Sequence, residues 1–124
     1  MTAVRSEVLN FSEISCDRLA ELNDTEVDLL PFGVIGLSSG NLVEVYNRTE
    51  SQLAGLPRDA VMGMDFFTTT AQCMNNFMVA QRFQDEAELD AEFDYVLTFR
   101  MRPTRVRLRL LQSGANRRYI LVQH

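Results

Sequence analysis

Cys73 sits in the stretch AQCMNN, residues 71–76, with no CxxC partner and no histidine nearby. A thiol placed so can be a buried structural residue, a nucleophile, or a covalent anchor for a group the chain does not encode. Nucleophilic work needs a base to activate the thiol. The one histidine is His124, the last residue, so Ser/His or Cys/His chemistry would depend on a frayed terminus. Zinc, haem and copper sites draw on an internal histidine or several cysteines, and the cysteines here are only Cys16 and Cys73. Glycine-rich phosphate loops are also missing. The residue inventory therefore speaks against an enzyme and against a metalloprotein.

Tyr46 and Glu50 are a second pair with chemical capacity. Tyr46 closes a β-rich run and Glu50 lies four residues on, within the helical turn that follows. Tyr46 is equally an ordinary strand-end aromatic. Glu50 is equally the capping-box acid of Asn47. The two roles of Glu50 compete, since a carboxyl facing inward does not also reach back to its N-cap amide.

A chain of 124 residues is one domain with room for a single core. At 46% hydrophobic and 23% charged residues it has the composition of an ordinary globular protein. No apolar run approaches the ~18 residues of a membrane span. The opening MTAVRSEVLNFSE lacks the features of a signal peptide. Two cysteines make no disulfide framework, which points to a reducing cytoplasm. The net charge of −5 is unevenly spread: seven arginines and no acid follow from Arg100, against five arginines and 17 acids before it. The stretch FRMRPTRVRLRLL could suggest nucleic acid. However, Arg105, Arg107 and Arg109 alternate with Val106, Leu108 and Leu110, as the solvent side of a strand does, and no aromatics interleave to stack bases. Pairing with the acidic remainder is the expected use, with no nucleic-acid or membrane partner.

Along the chain, residues 1–31 are acidic and weakly helical, with a helix start at Thr25-Glu26-Val27-Asp28 and a stop at Pro31. Runs at 32–37 and 42–46 flank a Ser/Gly/Asn turn and predict a hairpin. Asn47 predicts an N-cap and Gly55 a C-cap for a helix over 48–54. A short turn follows between Pro57 and Gly63, then a loop over 65–76. Phe77, Ala80, Phe83 and Ala87 predict a longer helix over 77–89. Strands over 93–101, 105–112 and 118–122 complete the order, with Phe93, Tyr95, Leu97, Phe99 and Met101 on one face. The expected class is α+β, with helices on one face of a five-stranded antiparallel sheet.

That order resembles a PAS fold. The segment YNRTESQLAGLPRDAVMGMDFF, with Cys73 six residues past Phe67, is similar to the photoactive yellow protein family. The likeness runs through LPFGVIGL, YNRTE, VMGMDFF, AQC and FRMRPTRVRLRL. It implies residues 1–29 as an N-terminal helical cap and 30–124 as a PAS photosensory core. It implies a bacterial, cytoplasmic blue-light receptor, not an enzyme, with 4-hydroxycinnamic acid (p-coumaric acid) bound as a thioester to Cys73. In such a receptor Tyr46 and a neutral Glu50 hold the phenolate by hydrogen bonds. Light drives a trans-to-cis change, Glu50 gives up its proton, and the fold partly unfolds to a signalling state. Met101 matches a methionine that assists thermal recovery. Ala54, Leu56, Phe66 and Phe99 match pocket positions. Cys16 has no such company and is expected to be structural.

Several positions depart from the family pattern. Ala54 stands for a usual Thr, Leu56 for a usual Arg, Gln72 for Pro, Met74 for Thr and Phe99 for Tyr, and the stretch after Cys73 is shorter. Absorption maximum and photocycle rates are expected to shift accordingly. No output domain is evident, so the expected partner is an unidentified downstream signalling protein, met by a monomer or weak dimer. The alternative is a PAS module that binds a small ligand or a protein without this chromophore. A haem version lacks its histidine, and a flavin version lacks its asparagine-cysteine-arginine motif.

Overall fold

The computed structural model describes residues 9–99, 102–114 and 117–124. In chain order its elements are α1 (Cys16–Glu21), α2 (Asp24–Asp28), β1 (Gly33–Leu37), β2 (Val43–Tyr46), α3 (Arg48–Ala54) and α4 (Arg58–Val61). A π-helical turn (Phe66–Thr70) and a 3-10 turn (Gln72–Met74) come next, then α5 (Ala80–Asp85), β3 (Glu88–Phe99), β4 (Arg102–Ser113) and β5 (Arg118–Gln123). The strands form one antiparallel sheet in the order β2-β1-β5-β4-β3. This is the expected PAS architecture.

Both faces of the sheet are covered, which explains why β1 and the middle of β5 are buried without alternation. On one face Ile35, Leu37, Leu97, Val106, Leu108, Leu110, Ile120 and Val122 meet Val61, Phe66, Phe67, Met74, Val79 and Phe83. On the other, Val34, Leu111, Tyr119 and Leu121 meet Phe11, Ile14, Cys16, Leu19, Val27 and Leu30 from the segment before β1. The expected single covered face is thus corrected: the N-terminal segment buries the second.

Arg109 shows why. It sits within the solvent-facing stripe that the sequence predicts, yet it is 4% exposed. Its Nε and Nη2 donate to the two carboxylate oxygens of Asp90, each at 3.0 Å, and Nη1 donates to the carbonyls of Phe11 and Ile14 at 3.0 and 2.6 Å. Four of the five N–H donors of the guanidinium are used, so the buried charge is paired and solvated by the chain itself. Arg107 remains exposed and pairs with Glu92 and Asp94. The pairing of the arginine strand with acidic residues is as expected; the solvent exposure of Arg109 is not.

Three local expectations change. The helix predicted over 77–89 condenses to the six residues of α5. The Asn76 side chain accepts from Met78 N and Val79 N and holds residues before it in a turn. At its other end Gln112 Nε2 donates to the carbonyls of Phe83 and Glu86, closing the helix from across the sheet. Glu88 and Leu89 then belong to β3, opposite Ser113 and Gln112. Phe77 is consequently 78% exposed, and Phe83 alone of the four predicted face residues is buried. The loop expected over 65–76 contains two helical turns, the first started by Asp65, whose carboxylate accepts from Phe67 N and Thr68 N.

Asn47 connects these layers to the start of α3. It is 1% exposed, accepts from Val34 N and Glu50 N at 2.9 and 3.0 Å, and donates to the carbonyls of Val27 and Phe32. Replacing it with alanine strands four backbone groups in the interior. Asn47→Ala should cost about 3 kcal/mol of unfolding free energy in urea titration; stability equal to the parent would refute the weight given to this amide.

Candidate functional site

The hairpin β1–β2 and helix α3 bring the first two chemical groups together. Tyr46 ends β2 opposite Ile35 and is 3% exposed. Asn47 caps α3 through Glu50 N, and Gly55, at φ 72°, closes it in the left-handed region as expected. Glu50 occupies the third position of α3, where a carboxylate could complete a capping box. It does not: Asn47 N is already donating to Val34 O, and the Glu50 side chain turns inward, 1% exposed. The contrast with α2 is direct, because there Asn23 and Glu26 form both halves of the box. The competition left open by the sequence is resolved in favour of the interior.

Glu50 Oε1 has no hydrogen-bond partner. Burial pushes the carboxyl up to about 8 from its ordinary 4.5. It is therefore largely protonated at neutral pH and carries one O–H to donate. The Tyr46 phenol is raised too, first by burial and then by the nearby Glu50 charge. Gly33 makes the arrangement possible, since a Cβ on it would strike Glu50 Oε1. Glycine in a strand marks such a close approach. That was the signal available in FGVIGL, and the sequence-based expectation did not use it.

Cys73 lies in the 3-10 turn, half-buried, with a free thiol. It packs with Leu56 against the core cluster that contains Tyr46, Phe66 and Ala71. Ala54 is buried at the end of α3. The structure thus packs Tyr46, Leu56, Phe66 and Cys73 in one cluster on a face of the sheet, and Glu50 lies near enough to Tyr46 for its charge to act on the phenol. The Phe99 side chain and Met101 lie outside the described residues. Cys16 is buried on the opposite face, its thiol 3.6 Å from the carbonyl of Arg117. The sequence did not single out two further residues, Asn76 and the hydroxyl of Tyr95, both of which bond to the Cys73 carbonyl.

Two hydroxyl donors in apolar packing, one on a carboxyl whose Oε1 is unpartnered, fit a group that presents an anionic oxygen. Among the described residues no cluster of histidine, cysteine and acid could hold a metal ion. None of the helices described is long and apolar enough to cross a membrane.

The sheet order, the short helices between β2 and β3 packed on one of its faces and the polar pair at the hairpin's end define a PAS sensory domain. A PAS domain of an HTR-like protein from Haloarcula marismortui shares this fold, with a TM-score of 0.61 at 13% identity over 82% of this chain and 91% of its own. The photoactive yellow protein domain of the sensor histidine kinase Ppr from Rhodospirillum centenum is more similar. It is 36% identical with a TM-score of 0.80, over 88% of this chain and 99% of that one. Photoactive yellow protein of Rhodothalassium salexigens is 30% identical over 111 residues, 86% of this chain and 89% of the relative. That of Halochromatium salexigens is 30% identical over 98 residues, 77% and 78% of the two chains. No protein-family model matches. The chain belongs to the photoactive yellow protein family. Domains of this kind are sensory modules.

The raised Glu50 carboxyl has a measurable consequence. The folded protein holds a proton that the unfolded chain releases above about 4.5, so this stabilisation is complete below that pH and is lost as pH rises through about 8. Between those limits unfolding free energy of the apoprotein should fall by about 1.4 kcal/mol per pH unit on this account. Glu50→Gln should remove that slope in urea titrations, and an unchanged slope would refute the assignment.

Proposed function

We propose that this chain is a blue-light receptor that carries 4-hydroxycinnamic acid as a thioester on Cys73. The observation that carries the reading is the buried, unpartnered Oε1 of Glu50 beside buried Tyr46. A neutral carboxyl without an acceptor in the core is costly unless a ligand supplies one.

When bound, the chromophore supplies blue absorption and a light-driven trans-to-cis change at its double bond. Cys73 supplies the nucleophile: its thiolate attacks the acyl carbon of an activated donor, an S–C bond forms, and the donor's leaving group departs with the electron pair. Tyr46 and Glu50 would hold the anionic end of such a group, each through its hydroxyl proton. Phe66, Ala54 and Leu56 contribute walls, and we assign Phe99 to the same pocket and Met101 to thermal recovery. Ala54 and Leu56 bring neither a hydroxyl nor a cation to the anion, which shifts absorption maximum and rates from the family norm.

With such a group bound and its alignment broken by light, Glu50 would be the residue placed to give up a proton to it. A carboxylate then stands in apolar packing, a state relieved when the fold loosens. Residues 1–29 are the proposed cap that is released, and 30–124 the photosensory core. Arg109 and its bonds to the Phe11 and Ile14 carbonyls, with the Asn47 bond to the Val27 carbonyl, are among the contacts such a release has to break. The signal passes in the cytoplasm to a separate downstream protein, from a monomer or weak dimer.

Two experiments test this. Apoprotein incubated with the activated acid should gain one hydroxycinnamoyl mass and a visible band that bleaches and recovers, and Cys73→Ser should gain neither. No mass gain would sink the attachment, and a purely ultraviolet band at pH 7 would sink the bound anion. In the pigmented Glu50→Gln protein, light should no longer produce a new carboxylate band in infrared difference spectra. Its persistence would remove Glu50 as the proton donor.

A further inference from the structure

The Cys73 carbonyl is held by a closed polar triangle. Tyr95 Oη donates to it at 2.8 Å, Asn76 Nδ2 donates to it at 3.1 Å, and the same amide nitrogen donates to Tyr95 Oη at 2.6 Å. Each of the two N–H bonds of Asn76 thus has its own acceptor, and the Tyr95 hydroxyl both gives and receives. Asn76 Oδ1 is committed elsewhere, accepting from Met78 N and Val79 N. Tyr95 belongs to β3, opposite Val106 of β4, so the triangle pins the turn that bears Cys73 to the sheet. Below it, Ala71 N donates to Phe66 O and Gln72 Nε2 to Thr68 O, which leaves the turn braced from both sides.

We propose that Tyr95 and Asn76 are positioning residues for Cys73. They keep its backbone stationary, so that twisting of a group on the thiol is transmitted to the Tyr46 and Glu50 end instead of being absorbed by the loop. The inference rests on Cys73 as the point of attachment. Without the triangle the turn would keep the Ala71 and Gln72 bonds and the buried Met74 as restraints but would lose the tie from the Cys73 carbonyl to β3. With it, the fixed end is part of a five-stranded sheet. A rigid tether is what converts a local rotation into displacement at the far end.

The two jobs of Asn76 can be separated. Asn76→Asp retains the acceptor oxygen that caps Met78 and Val79 but loses both donors; Tyr95→Phe loses the hydroxyl and keeps the ring. Three readouts apply to the full chain. Urea titration reports folding, mass after treatment with activated 4-hydroxycinnamate reports attachment, and iodoacetamide labelling of Cys73 in the pigment-free protein reports how firmly the turn is held. Both variants should fold and acylate as the parent does. Their thiols should alkylate about tenfold faster, the factor that one lost hydrogen bond to a pinned carbonyl supports. Flash excitation should bleach them with several-fold lower yield. Parental alkylation rates and bleaching yields in both variants would overturn the proposal. A parent chain that never acylates would instead overturn the attachment itself, and the mass measurement distinguishes that result before any flash is given.

Discussion

A carboxyl group enclosed by apolar packing keeps its proton, and the polar end of this site depends on that constraint. Glu50 lies where a surface helix would direct its third residue back to the cap. Its inward turn requires that the cap amide be satisfied by another acceptor, that room exist beside it, and that its partner on the strand be buried as well. Val34 O, Gly33 and Tyr46 meet those three conditions. Asn47 holds all of them in register, because one side chain bonds β1, the end of α2, the approach to β1 and the first turn of α3.

The sheet separates this site from the N-terminal segment without isolating it. Inward residues of β4 such as Leu108 and Leu110 face the cluster that contains Tyr46, while Arg109 and Leu111 face the segment before β1. Period-two geometry thus places the two environments on the two sides of one strand. Arg109 binds that segment through carbonyl oxygens, with its charge balanced by Asp90, so the attachment is polar and geometrically demanding. Attachments of this kind tolerate little displacement, since a hydrogen bond weakens steeply with angle whereas apolar contacts slide.

Legibility in the sequence followed locality. The hairpin, the Asn47 cap and the Gly55 stop are all written within about two dozen residues, and they stand as expected. The stretch 77–89 was misread because two periods overlap there. Phe77, Ala80 and Phe83 fit a helix, while Leu89, Ala91 and Phe93 fit a strand. Gln112, more than twenty residues away, settles the boundary by capping α5. Arg109 was misread for the same kind of reason: alternation identifies which face of β4 it occupies but not what lies over that face.

The sequence by itself determined the element order, the family, and the residue types available to the site, because turn, cap and periodicity rules act between neighbours in the chain. Only the tertiary structure decided that Glu50 faces inward and unpartnered, that Gly33 leaves it space, that Arg109 is buried, and that Tyr95 and Asn76 converge on Cys73. Desolvation and hydrogen-bond satisfaction depend on which distant segments arrive at the same place, and chain proximity carries no record of that.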